Sequence, residues 1–230
     1  DMPSNFRCEG KLDDLLAEEG ITGITGIDTR ALTRLLRKKG TMNGMITTDV
    51  DYCMSDVIMK LHTYKMGNVV RETSCKESYV LKGDGPRIAL LDLGAKANIA
   101  ASLNKRGCEV TVYPADTSAE TILQANPDGI MLSNGPGDPS TCMEIISQVR
   151  RLYESDIPIF AICLGHQLMA LANGAKTYKL TYGHRGGNHP VKDLTDGKVY
   201  ISSQNHGYAV DAGSMEAGIA EELFVNVNDG

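Results

Sequence analysis

From residue 87 onward the sequence predicts an α/β fold, a mainly parallel sheet flanked by helices, and three observations carry that expectation. Short apolar runs of strand length alternate with amphipathic stretches of helical length. A turn-rich break, Lys82-Gly83-Asp84-Gly85-Pro86, separates this texture from a different one before it. Finally, an apolar strand runs directly into a cysteine flanked by small residues, the pattern of a strand-to-helix elbow.

The elements follow in order. Residues 87–93 form a short apolar run, and residues 95–105 read as a helix ending at Gly107. A second strand at 109–113 precedes a second helix at 118–124, and a third strand at 129–133 leads into a glycine-proline turn. A long amphipathic helix near 141–153, a fourth strand at 158–162 and a helix at 164–172 complete the pattern. Strands alternating with helices argue for a sheet covered on both faces, with sites at the carboxyl ends of its strands. Residues 199–202 read as a further strand.

Residues 1–78 read as a separate, smaller domain, joined through a linker at 79–86 to the domain at 87–230. Asp28 and Thr29 can cap a helix whose apolar residues Ala31, Leu32, Leu35 and Leu36 fall at helical spacing. Arg37, Lys38 and Lys39 crowd its last turn and Gly40 follows, which suits the negative end of the helix dipole. A second helix is expected at 55–61, opening on a capping Ser55. No catalytic constellation lies in this region, so its expected role is structural or interfacial.

Composition excludes several classes. A net charge of -6 gives no electrostatic reason to expect nucleic acid or an anionic membrane as partner. No apolar run approaches the roughly 20 residues that span a bilayer. Asp1 to Asn5 have neither the basic start nor the apolar stretch of a signal peptide. The six cysteines are scattered without a Cys-x-x-Cys pair, which points to reduced thiols in a cytoplasmic protein rather than to zinc or a disulfide framework.

The stretch Ile159-Phe160-Ala161-Ile162-Cys163-Leu164-Gly165-His166-Gln167 is the most informative. Its small residues, Ala161 and Gly165, are what a tight elbow requires, because larger side chains there would collide with the neighbouring strand and helix. Cys163 then faces a helix N-terminus, whose partial positive charge favours thiolate over thiol. The N–H of Leu164 follows the nucleophile and is placed to donate to an oxyanion. Leu132-Ser133-Asn134-Gly135-Pro136-Gly137-Asp138-Pro139 also follows a strand and projects from the same sheet edge. Alone it is a turn; paired with the elbow it offers Gly135 as a second oxyanion donor.

A third segment, Ser203-Gln204-Asn205-His206-Gly207-Tyr208, reads as a polar loop able to hydrogen-bond the charged ends of an amino acid. His206 invites a role as general base, although a lone histidine in such a loop is more often structural. His184 and His189 are spaced five apart with no cysteine or acidic ligand close by, so no metal is expected.

Together these segments resemble the class I glutamine amidotransferases, and most closely the family of glutamine-hydrolysing small chains of carbamoyl phosphate synthetase. The stretches that carry the resemblance are Gly26-Ile27-Asp28-Thr29-Arg30, Leu91-Asp92-Leu93-Gly94-Ala95-Lys96, residues 133–139, 163–167, 183–191 and 204–210, and they span nearly the whole chain. The resemblance implies that Cys163 attacks the glutamine carboxamide through a thioester, with Gly135 and Leu164 as the oxyanion hole. It also implies that Gly135, Gly137, Leu164, Gln167, Asn205, Gly207 and Tyr208 hold L-glutamine. Ammonia would pass to a large synthetase chain, which would carry the ATP and magnesium; no cofactor is expected on this chain. Arginine and pyrimidine synthesis remain equally open as destinations.

One departure matters. The family's base is a histidine in a His-Pro-Glu motif beyond the Asn-His-Gly segment, and no such motif occurs in this sequence. His189-Pro190 is followed by Val191 and precedes that segment. The chain therefore reads as an internal fragment that keeps nucleophile and oxyanion hole without its base, and as a very poor glutaminase alone. Rival readings are a non-catalytic amidotransferase-like binding module, the amidotransferase domain of another synthase, and a thiol-dependent stress or redox protein on a similar sheet.

Overall fold

The computed structural model describes residues 3–65 and 67–230. Asp1 and Met2, the start of the stretch read above as lacking a leader, lie outside the described residues. The chain divides into two compact units after Lys65.

The first unit carries α1 (Leu12–Glu18), α2 (Thr29–Lys39) and α3 (Met54–Thr63). The second of these forms as its capping and patterning ask. The Asp28 carboxylate accepts from the Ala31 N–H at 2.9 Å, and Gly40 ends the helix at φ 84°. α3 opens on Cys53 rather than on Ser55, and Cys53 gives its backbone no side-chain cap; the Cys53 Sγ instead lies 2.9 Å from Ser55 Oγ. No residue of these three helices is buried.

The second unit starts before the turn-rich break rather than after it. α4 (Val69–Thr73) sinks Val70 into the main core, and β1 (Tyr79–Leu81) pairs antiparallel with β3 (Glu109–Pro114). The expected linker is thus partly a sheet strand, and the break itself is pinned by Gly85 N–H to the Gly107 carbonyl at 2.8 Å. Texture changes where the apolar runs begin, whereas the boundary is set by tertiary burial that composition does not register.

The larger sheet has the order β1-β3-β2-β4-β5, with β2 (Arg87–Asp92), β4 (Gly129–Leu132) and β5 (Ile159–Ala161). The β2–β3, β2–β4 and β4–β5 pairs are all parallel. Side chains alternate across it as strand geometry dictates. Ala89, Leu91, Ile130 and Leu132 pack towards α6 (Ala119–Gln124), α7 (Met143–Tyr153) and α8 (Leu164–Ala172). Leu90, Val110, Val112 and Met131 pack on the other face against α5 (Ala97–Asn104). Burial on both faces explains why these strands read as continuous apolar runs. α5 starts two residues later than expected because the Asp92 carboxylate holds the N–H groups of Gly94 and Ala95, at 2.9 and 2.7 Å, in a turn.

A second, antiparallel sheet has the order β7-β6-β8, from β6 (Lys176–Asp193), β7 (Val199–Asp211) and β8 (Phe224–Asn226). The expected polar loop at 203–208 lies inside β7, where His206 pairs with His184 and Asn205 with Arg185. Register shifts in β6 between Lys179 and His184 and between Gly186 and His189 absorb its glycines.

Candidate functional site

The elbow is built by backbone contacts between neighbouring strands. Ile162 N–H donates to the Leu132 carbonyl at 3.0 Å, and Gly165 N–H donates to the Ser133 carbonyl at 3.1 Å. Between those two anchors Cys163 adopts φ 51°, ψ -107°. A non-glycine residue there costs about 1–3 kcal/mol and persists only where its surroundings over-determine it. Gly165 is one such determinant. A Cβ at that position would lie 2.6 Å from Leu132 O and 2.7 Å from Leu132 Cβ, so only glycine lets α8 sit this close to β4.

The loop after β4 is laced to the loop after β2. Ser133 is fully buried; its Oγ accepts from Leu93 N–H at 2.9 Å and donates to the Asn134 carbonyl at 2.8 Å. Asn134 accepts from the Lys96 N–H at 3.0 Å and donates to the Gly94 carbonyl at 3.2 Å. This lacing presents Gly135 to the elbow, and the backbone N–H groups of Leu164 and Gly135 both pull the Cys163 thiol towards ionisation. A Cβ on Gly135 would overlap Leu93 O and lie 2.6 Å from Leu164 Cδ2.

The resting sulfur differs from expectation. Burial pushes the Cys163 thiol up, and this outweighs the opposing pulls of Leu164 N–H, the Lys96 ammonium and Gly135 N–H. The Leu164 N–H at the helix terminus pulls towards thiolate, yet desolvation outweighs it. Its S–H points at the Asn205 carbonyl, 3.8 Å away.

A cavity of about 600 Å³ opens beside the sulfur, with Cys163, His166, Gln167, Gln204, His206 and Tyr208 among its walls. The Gln167 side chain is buried and donates to the Tyr208 carbonyl at 2.8 Å, tying α8 to β7. Burial and the neighbouring Asp138 carboxylate raise the Tyr208 phenol. Gly135 and Leu164 meet at the sulfur instead of lining the cavity, Asn205 meets it through its carbonyl, and Gly137 and Gly207 stand outside the cavity walls.

His206 is not aimed at Cys163. Its Nδ1 lies 2.8 Å from the Tyr208 carbonyl, and its Nε2 lies 3.1 Å from His184 Nδ1 and 3.2 Å from Gln204 Oε1. His184 Nε2 in turn faces Asp229 Oδ2 at 2.8 Å. With both ring nitrogens engaged, His206 does not take the role of base considered for it. Burial also holds its imidazole below the usual histidine range. Among the described residues no group of three or more His, Cys, Asp or Glu is arranged to hold a metal. No helix among them is long and apolar enough to cross a membrane.

Sequence reasoning assigned no role to Lys96, Ser133 or Asp92, which supply charge at the sulfur and the lacing beneath it. Their signal was available: all three sit at the carboxyl ends of parallel strands, where sites form.

The family model described as glutamine amidotransferase class-I matches residues 89–230. A second, carbamoyl-phosphate synthase small chain, CPSase domain, matches residues 1–46. The chain is 50% identical over 233 residues to the carbamoyl phosphate synthase small chain of Bacillus cereus, covering all of this chain and 62% of that protein. It is 46% identical over 230 residues to the protein of the same name from Listeria monocytogenes, covering all of this chain and 63% of that one. The chain thus spans less than two thirds of the length of the relatives it matches.

Proposed function

The chain belongs to the class I glutamine amidotransferase family, and from that premise we propose that it is the glutamine-hydrolysing part of a carbamoyl phosphate synthase small chain. The observation that carries the proposal is that two backbone N–H groups, from Gly135 and Leu164, both act on the half-buried Cys163 sulfur. Such donors hold the oxyanion of a tetrahedral intermediate, which is the demand that amide cleavage makes of a site.

In this reading the Cys163 sulfur bonds to the glutamine carboxamide carbon, and the carbonyl oxygen becomes an oxyanion between Gly135 and Leu164. The carbon–nitrogen bond then breaks, nitrogen leaves as ammonia, and a glutamyl thioester remains. Water releases glutamate and restores the thiol. Gly137, Gln167, Asn205, Gly207 and Tyr208 complete the glutamine cradle. The raised thiol needs a proton acceptor, and the Asn205 carbonyl beside it is not one. By resemblance to the family, that role falls to a histidine of a His-Pro-Glu motif, which residues 1–230 do not contain. The ammonia is consumed by a large synthetase partner that carries ATP and magnesium, in the cytoplasm.

The test uses the complete protein with glutamine. Glutamate release that disappears in Cys163→Ser, and labelling of Cys163 by a glutamine chloroketone that glutamine blocks, support the reading. Labelling spread over other cysteines without glutamine protection overturns it.

A further inference from the structure

The segment before β1 was expected to be structural, yet it touches the site. α4 is fixed to the α/β unit at several points. Val70 is 1% exposed and packs with Leu93, Leu132 and Leu164. The Arg71 guanidinium pairs with Glu144 at the start of α7. Just beyond the helix, the buried Ser74 Oγ accepts from Ala115 N–H at 2.9 Å, and Cys75 N–H donates to Asp92 at 2.8 Å. Lys76 Nζ closes the helix end by donating to the Arg71 carbonyl at 2.8 Å. A five-residue helix would not persist alone; these anchors hold it.

Two side chains of this anchored helix face the loops that build the site. Val69 Cγ2 stands where a Cβ on Gly137 would be only 2.9 Å away. Thr73 Oγ1 stands 2.7 Å from the corresponding point on Gly94, where the Pro136 ring closes in at 2.8 Å. The Thr73 hydroxyl donates to the Val69 carbonyl at 2.7 Å, which fixes its methyl and oxygen against that corner. The far side of the Gly135-Pro136-Gly137 turn is thus walled by α4, while its near side offers the Gly135 N–H to sulfur.

We propose that Val69 and Thr73 are positioning residues for the glutaminase reaction, holding the Gly135–Gly137 turn at the distance from Cys163 that oxyanion binding requires. The proposal rests on the functional reading above. Oxyanion donors act within a window of about 2.7–3.1 Å, so slack of a fraction of an ångström behind the turn reaches the rate. Val69 touches the turn without touching substrate, and its effect falls on the transition state more than on ground-state binding.

The experiment compares Val69→Ala, Val69→Ile and Leu152→Ala with wild type in the complete protein, measuring kcat and KM for glutamine and the Tm of each. Leu152 lies fully buried on α7 and serves as a core lesion away from the turn. We expect Val69→Ala to lower kcat by about 10-fold with KM changed by less than about threefold, and Val69→Ile to restore kcat. Leu152→Ala should lower Tm by more than Val69→Ala and leave kcat within about twofold. A Val69→Ala kcat within twofold of wild type, or a loss that Leu152→Ala reproduces, overturns the proposal. Wild-type protein without glutamine turnover sinks the functional reading instead, so the two failures are distinguishable.

Discussion

Gly135→Ala offers the sharpest test of the oxyanion geometry, because the perturbation is one methyl group. Its φ is not in the left-handed region, so alanine is excluded by space alone. The added carbon would overlap Leu93 O and lie 2.6 Å from Leu164 Cδ2, against an ordinary contact of about 3.5 Å, so the turn must retreat by roughly 1 Å. Leu93 cannot yield, since it is fully buried and its N–H is held by Ser133 Oγ at 2.9 Å. A retreat of that size takes the Gly135 N–H out of reach of the oxyanion. Loss of one such donor costs about 10²–10³ in kcat, roughly 2.7–4 kcal/mol. Overpacking costs a further 1–3 kcal/mol or so in stability. The assay is glutamate release by the complete protein, with thermal unfolding and iodoacetamide titration of Cys163 confirming an intact fold. A kcat within about fivefold of wild type in a well-folded variant would refute the assignment of Gly135.

Further outcomes follow from the same contacts. Gly165→Ala meets the Leu132 backbone and side chain at 2.6–2.8 Å, and should lower Tm sharply together with soluble yield; an unchanged Tm argues that α8 is free to move. The two cysteines Cys53 and Cys163 should alkylate with pH midpoints displaced in opposite directions. The Ser55 hydroxyl and nearby N–H groups lower the Cys53 thiol, whereas burial raises that of Cys163, so the Cys163 midpoint should lie above the ordinary cysteine value and that of Cys53 below it. Reversed midpoints measured by mass spectrometry would remove the case for a base. His206 is held below the usual histidine range by burial, so the unfolded chain takes up its proton first as pH falls. Stability is undiminished above about pH 6.5 and should decline below it, and the decline should be shallower in His206→Gln.

Most of the parallel sheet was legible because its central strands, β2 and β4, are buried on both faces. Leu90 and Leu91 point to opposite faces yet are both fully sequestered, which leaves an apolar run that needs no context to read. The antiparallel sheet was not legible for the converse reason. Its strands are half-exposed, and β6 carries only His184 and Arg185 between Gly183, Gly186 and Gly187, glycines that individually argue for turns. Pairing between β6 and β7 supplies the order that neither segment signals alone, so Asn205 to Tyr208 were read as a loop. α4 escaped notice because five residues are too few to show a period, and its one buried residue, Val70, acquires meaning only against Leu93 and Leu132.

The site divides along the same line. Cys163, Leu164 and Gly165 are adjacent in sequence, and a tight elbow is a local requirement on local residues, so the turn itself could be read directly. The charge state of the sulfur is a tertiary property. A helix N-terminus favours thiolate by an amount that falls off within a turn, while burial penalises the same thiolate according to everything packed around it. Sequence shows the first influence and conceals the second, which is why a lowered thiol was expected whereas burial raises it. The consequence is mechanistic. In the proposed reaction a thiol kept neutral gains its reactivity only when a base takes its proton, so ionisation is coupled to the arrival of glutamine instead of persisting in the absence of substrate. In the proposed site an unpaired thiolate would be exposed to oxidation throughout, whereas a half-buried thiol near the Gly135 and Leu164 N–H groups is poised to become one.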